Sequence, residues 1–106
     1  MSAAVAASPP SGTHLSTVFE VTCTGVSNND STAYDATKYP TEPQLGYYFK
    51  FSRTGSQTLK SRVFSTNPNG AAEWHGVIIP NAGTWTLDVC KTSDDSSVAN
   101  VSVVIS

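Results

Sequence analysis

Thr84-Trp85-Thr86-Leu87-Asp88-Val89-Cys90-Lys91 puts Trp85, Leu87 and Val89 on one side of an extended chain and Thr84, Thr86 and Asp88 on the other. Successive side chains of a strand point to opposite faces, so this stretch predicts a strand with one buried face and one polar face. After a polar loop over residues 93–97, the segment 98–106 repeats the pattern with Ala99, Val101, Val103 and Ile105. Two alternating runs joined by a short polar loop predict an antiparallel pair.

Moving towards the N-terminus, residues 72–79 form another extended run, closed by Pro80-Asn81-Ala82-Gly83 and preceded by the turn signal Asn67-Pro68-Asn69-Gly70. Residues 57–64, with Leu59 and Val63, predict an edge or sheet-switching strand after the turn Thr54-Gly55-Ser56. Residues 45–53 set Tyr47, Phe49 and Phe51 against Tyr48, Lys50 and Ser52, an aromatic-rich central strand. Residues 15–24 predict the first strand of the domain, with Phe19, Val21 and Cys23 facing inward. The intervening residues 25–43 are polar and read as a long excursion over the surface. No window carries a helical stripe. Six to seven strands separated by turn signals predict an all-β antiparallel sandwich.

A chain of 106 residues with 39% hydrophobic residues supports one core. Charged residues are only 13% of the chain, about half the usual share of roughly 25%, so the surface is covered mainly by neutral polar groups. The six Lys and Arg are scattered and the net charge is −2. Nucleic-acid binding through phosphate neutralisation is therefore not expected. No apolar run reaches the 18 or so residues of a membrane-spanning helix, so no membrane partner is expected.

Residues 1–12 (MSAAVAASPPSG) lack the charged start and long apolar centre of a secretory signal, and export by that route is not expected. They read as an extended N-terminal arm before a domain spanning 13–106. Small residues and Pro9-Pro10 cannot build a core, so order in the arm requires its own domain or a partner to hold it. Val5, Pro9 and Pro10 are the arm's candidate partner-binding residues, joined by Tyr34 and Tyr39, whose rings stand in the polar excursion with little reason to be buried.

The residues offer little for catalysis. His14 and His75 are the only histidines, and neither stands at metal-ligand spacing from the other or from a cysteine. Asp94 and Asp95 read as a solvated loop tip, and Asn28, Asn29, Asp30 and Asp35 lack the ordered spacing of a calcium loop. No catalytic residue, metal ligand or cofactor site is expected.

The run Gly76-Val77-Ile78-Ile79-Pro80-Asn81-Ala82-Gly83-Thr84-Trp85-Thr86-Leu87-Asp88-Val89 resembles the junction between the fifth and sixth strands of immunoglobulin-like domains, with Trp85 at the place of their corner tyrosine. The likeness extends over residues 73–105 and more loosely to Val21-Thr22-Cys23-Thr24-Gly25. Leu87 stands where antibody-type domains carry their second cysteine, and Cys90 has the opposite parity from Trp85, Leu87 and Val89. Two free thiols are therefore expected, as in a protein assembled in the cytosol.

A small, Ser/Thr-rich, immunoglobulin-like domain with an N-terminal arm resembles the accessory proteins that decorate tailed-bacteriophage particles. That resemblance implies a non-enzymatic virion protein, bound to the outer surface of a capsid through the major capsid protein or another shell protein, and to other copies of itself. An alternative is a carbohydrate-binding or cell-surface adhesion module that stacks Tyr34 or Tyr39 on sugar rings. A secreted receptor-like domain would require a Cys23–Cys90 disulfide.

Overall fold

Each apolar face read from the alternation needs a second layer to cover it, and the chain supplies two sheets. The computed structural model describes residues 3–26, 46–66 and 70–106. Among them every helix or strand is a strand: β1 (Ala4–Ser8), β2 (Ser11–Gly12), β3 (Phe19–Thr24), β4 (Tyr47–Ser52), β5 (Leu59–Lys60), β6 (Ala72–Val77), β7 (Gly83–Lys91) and β8 (Ser97–Ile105). One sheet has the order β1-β3-β6 and the other β2-β8-β7-β4-β5.

The expected inward residues Phe19, Val21, Phe49, Phe51, Trp85, Leu87 and Val89 are fully buried. Rings from the two sheets meet across the interior: Phe19 lies 6.2 Å from Phe51, Trp74 lies 6.0 Å from Phe51, and Trp74 and Phe49 are parallel at 6.3 Å. Phe64, delivered by an isolated bridge to Tyr47, closes on Phe49 at 4.8 Å. Aromatic pairs of this kind contribute about 0.5–1.5 kcal/mol each beyond their area.

Two features differ from the sequence reading. Among the described residues there are eight strands where six to seven were expected in all, because residues 4–8 and 11–12 are themselves strands, one in each sheet. The pattern is also not wholly antiparallel: β1 runs antiparallel to β3, but β2 runs parallel to β8. Two connected strands that enter different sheets travel in the same direction, since the chain steps sideways at Pro9-Pro10 rather than reversing. Proline suits that step, having no N–H to leave unpaired.

Glycine decides the geometry at one interior point. The β3–β6 register shifts between Phe19 and Val21, and Gly76 adopts φ 68°, a left-handed conformation that accommodates the bulge. The Glu20 carboxylate accepts the Gly76 N–H at 2.9 Å, replacing the ladder bond that the bulge interrupts.

The register defines two ends. At the basal end β3 and β7 begin while β1, β4, β6 and β8 finish, as the pairs Ser8 with Glu20, Phe19 with Val77, Ser52 with Thr86 and Gly83 with Ile105 require. The β7–β8 hairpin lies at the opposite, distal end.

Candidate docking surface

The basal end is organised by a turn over residues 13–18. The Gly12 carbonyl accepts the Ser106 N–H at 2.8 Å and the Ser106 carbonyl accepts the His14 N–H at 3.1 Å, which fixes the turn to the end of β8. The Thr17 N–H donates to the Thr13 carbonyl at 3.2 Å, and the Thr13 N–H donates to Thr17 Oγ1 at 2.8 Å. Thr13 Oγ1 and Ser16 Oγ share a further bond at 3.1 Å. A Cβ at Gly12 would lie 2.4 Å from Thr17 Oγ1, so only glycine lets the turn fold over β2. At the tip of this stitched turn stands Leu15, 83% exposed.

Leu15 has company. Among the described residues the exposed large hydrophobic side chains are Leu15, Val18, Ile78, Val101 and Val104, and all but Val101 lie at the basal end. Val18 directly precedes β3 and Ile78 directly follows β6; because Phe19 pairs with Val77, the two stand at the same level on neighbouring strands. Val104 is opposite both Ser11 and Thr84 on the outer side of the larger sheet. The exposed Pro9-Pro10 step crosses between the sheets at this end. One exposed Leu on a surface is ordinary; four exposed aliphatic side chains at one end, one of them on a hydrogen-bonded turn, make that end the candidate docking surface.

Comparison of the chain with protein-family models, curated proteins and solved structures finds no match.

The residues expected to meet a partner fall in three places. Pro9 and Pro10 belong to the basal end. Val5 is 7% exposed and faces Cys23 across the β1–β3 ladder, so its side chain is taken up by its own core. Tyr34 and Tyr39 lie outside the described residues. The sequence reading missed Leu15, Val18, Ile78 and Val104. Residues 15–18 were expected in the first strand, where Leu15 would share the parity of Phe19, but the hydroxyl run Thr13, Ser16 and Thr17 beside Gly12 is turn chemistry and carried the signal.

The outer side of the larger sheet behaves differently near the distal end. Tyr48 donates its phenol O–H to Asp95 Oδ1 at 2.7 Å, and the Lys60 ammonium sits 5.3 Å from the centre of the Tyr48 ring. Tyr48 is buried, and Cys90 beside it in the cross-strand register is fully buried. Ser97 donates to Asp88 Oδ1 at 2.7 Å. Burial, reinforced by the bond to Asp95, holds the Tyr48 phenol above its usual range, and burial raises the Cys90 thiol.

Cys23 lies in the core, where burial pushes its thiol up to about 11 against a smaller opposing effect of its backbone hydrogen bond with Ala72. Both cysteines are free. Buried thiols with raised pKa make poor nucleophiles. His75 meets Glu20 through Nδ1 and Glu73 through Nε2 at 3.3 Å. The carboxylates approach opposite edges of the ring, so the three groups do not converge on one point. Among the described residues no group of three or more His, Cys, Asp and Glu could hold a metal ion.

Proposed function

We propose that the chain is a non-catalytic structural protein of immunoglobulin-like sandwich fold that docks on a protein shell through its basal end. The concentration of Leu15, Val18, Ile78 and Val104 there carries the docking reading. The fold reading is supported by the sheet order and by the N-terminal segment divided between the two sheets, its second half parallel to the last strand. It is also supported by Trp85, whose Nε1 donates to the Asn81 carbonyl at 2.9 Å, the kind of bond a corner tyrosine makes in such domains.

The shell is that of a tailed bacteriophage, a reading that rests on the resemblance described above. On a lattice, many modest contacts hold together because each further attachment is local. A rigid Leu15 suits that task, since little conformational freedom is lost on docking. The described aromatic side chains are buried or half-buried, so a sugar-stacking platform finds no support from them.

The test is stoichiometry combined with one substitution. Particles from the native source should contain this chain at a fixed high ratio to a shell protein, and Leu15→Asp should lower occupancy at least tenfold while the domain stays folded. Absence of the chain from every particle, or unchanged occupancy of the variant, would overturn the proposal.

A further inference from the structure

The attachment of β1 to its own domain points to a second copy of this chain as a partner. The strand AVAAS contributes one largely buried side chain, Val5, and a half-buried Ala7 against the core, while Ala4, Ala6 and Ser8 are exposed. It is held by its ladder to β3, in which Ala4 faces Thr24, Val5 faces Cys23, Ala6 faces Thr22, Ala7 faces Val21 and Ser8 faces Glu20. A groove runs along the seam, lined by residues of both strands from Ala4 to Ala6 and from Thr22 to Thr24. By contrast β7, with Trp85, Leu87, Asp88, Val89 and Cys90 all buried, is anchored along most of its length.

Regions with few buried apolar contacts open at lower free energy than the core they rest on. If β1 leaves, the edge of β3 loses a full row of backbone partners, and the inward Val21 and Cys23 lose their cover. That edge is a template for a strand with a small residue at every position but one and a valine opposite Cys23. The strand that meets this description by construction is β1 of another copy.

The connection favours such an exchange. Pro9 and Pro10 are exposed and have no N–H donors, so the link gives up no donor bonds when it swings out. β2 remains fixed to β8 by Ser11 and Gly12 and keeps the outgoing strand at the domain's side.

We propose that two copies exchange β1, each placing Ala4–Ser8 on the β3 edge of the other, in a closed two-fold dimer. The exchange reuses contacts already present within one chain, so its equilibrium is set mainly by concentration, and a crowded shell surface would favour it.

The register supplies the test. In a Val5→Cys variant carrying Cys90→Ser, the new thiol stands opposite Cys23. The variant is concentrated to about 1 mM, monomer and dimer are separated by size-exclusion chromatography with light scattering, and each fraction is oxidised and run on a denaturing gel without reductant. The expected result is covalent dimer from the dimer fraction and covalent monomer from the monomer fraction. Covalent monomer from both, or no dimer fraction at all, would overturn the exchange.

Hydrogen exchange on the unaltered chain gives a second reading that does not depend on the variant folding. Amides of β1 should exchange at least about 100-fold faster than those of β7, as expected for a weakly anchored edge. Equal protection of the two strands would also overturn the proposal. A labile β1 with no dimer would reject the second copy and leave the β3 edge open to a strand from a different protein.

Discussion

Two tight turns stand at opposite ends of β8, and they present different chemistry. The distal hairpin over residues 92–96 satisfies its own polar groups: Asp94 Oδ1 accepts both the N–H and the hydroxyl of Ser96, and Asp95, at φ 61°, accepts the Tyr48 phenol. It offers solvent only polar side chains. The basal turn over residues 13–18 is stitched just as fully, yet it lifts Leu15 into solvent. Turn chemistry alone accounts for the distal hairpin. It does not account for a leucine at the basal tip, where Ser or Asn would make the same turn at lower solvation cost.

Substitutions should separate a turn that serves stability from one that serves contact. The largest effect is expected from Tyr48→Ala, which removes a buried ring, the bond to Asp95 and the cover over Cys90; the loss should be about 3–5 kcal/mol by denaturant titration. Native-state labelling of Cys90 by a thiol reagent should become measurable in that variant, and continued resistance would show that Tyr48 is not its cover.

Gly12→Ala should follow at about 1–3 kcal/mol, since the added Cβ collides with Thr17 and the collision must be relieved by moving the turn. A thermal midpoint unchanged from the parent would mean that the basal turn adapts freely, and the case for a rigid Leu15 would fail.

Alkaline pH should act on the buried groups and spare the basal turn. Cys23, Cys90 and Tyr48 all have folded-state pKa values above their ordinary ones of 9.0 and 10.0. The folded chain therefore keeps these protons where the unfolded chain has lost them. The stability they contribute is complete below pH 9 and falls as pH rises through 9 and then 10. Each group that has ionised only in the unfolded chain adds a slope of about 1.4 kcal/mol per pH unit. Denaturant midpoints that stay level from pH 8 to 11 would contradict the burial of these groups.

Leu15→Ser should have the smallest effect on folding, within about 0.5 kcal/mol, because the side chain leaves water only on binding. A loss above 1 kcal/mol would place Leu15 in the domain's own energetics and blunt the contrast between the turns.

Much of the architecture was legible from period-two patterning. Phe19, Phe49, Phe51, Leu87, Val89, Val103 and Ile105 lie inside because any other register would turn each whole face to water. The opposite parity of Cys90 and Trp85 likewise foretold two thiols on different sides of a sheet. Legibility failed where a residue's partner is distant in sequence. Val5 looked like a free apolar residue of an arm until β3 stood beside it. Tyr48 has the parity of an outer-face residue, yet it is buried, with Asp95, 47 positions away, and Lys60 both set against it.

The sequence by itself determined that this chain is all-β, with one aromatic core and little charge, since alternation is a local property that needs no knowledge of the partner strand. Only the tertiary structure decided that residues 4–12 divide between two sheets and that Leu15, Val18, Ile78 and Val104 share one end. Those facts depend on which strands pair and in which direction. Pairing is fixed by the joint burial of side chains far apart in the chain, which no local pattern records.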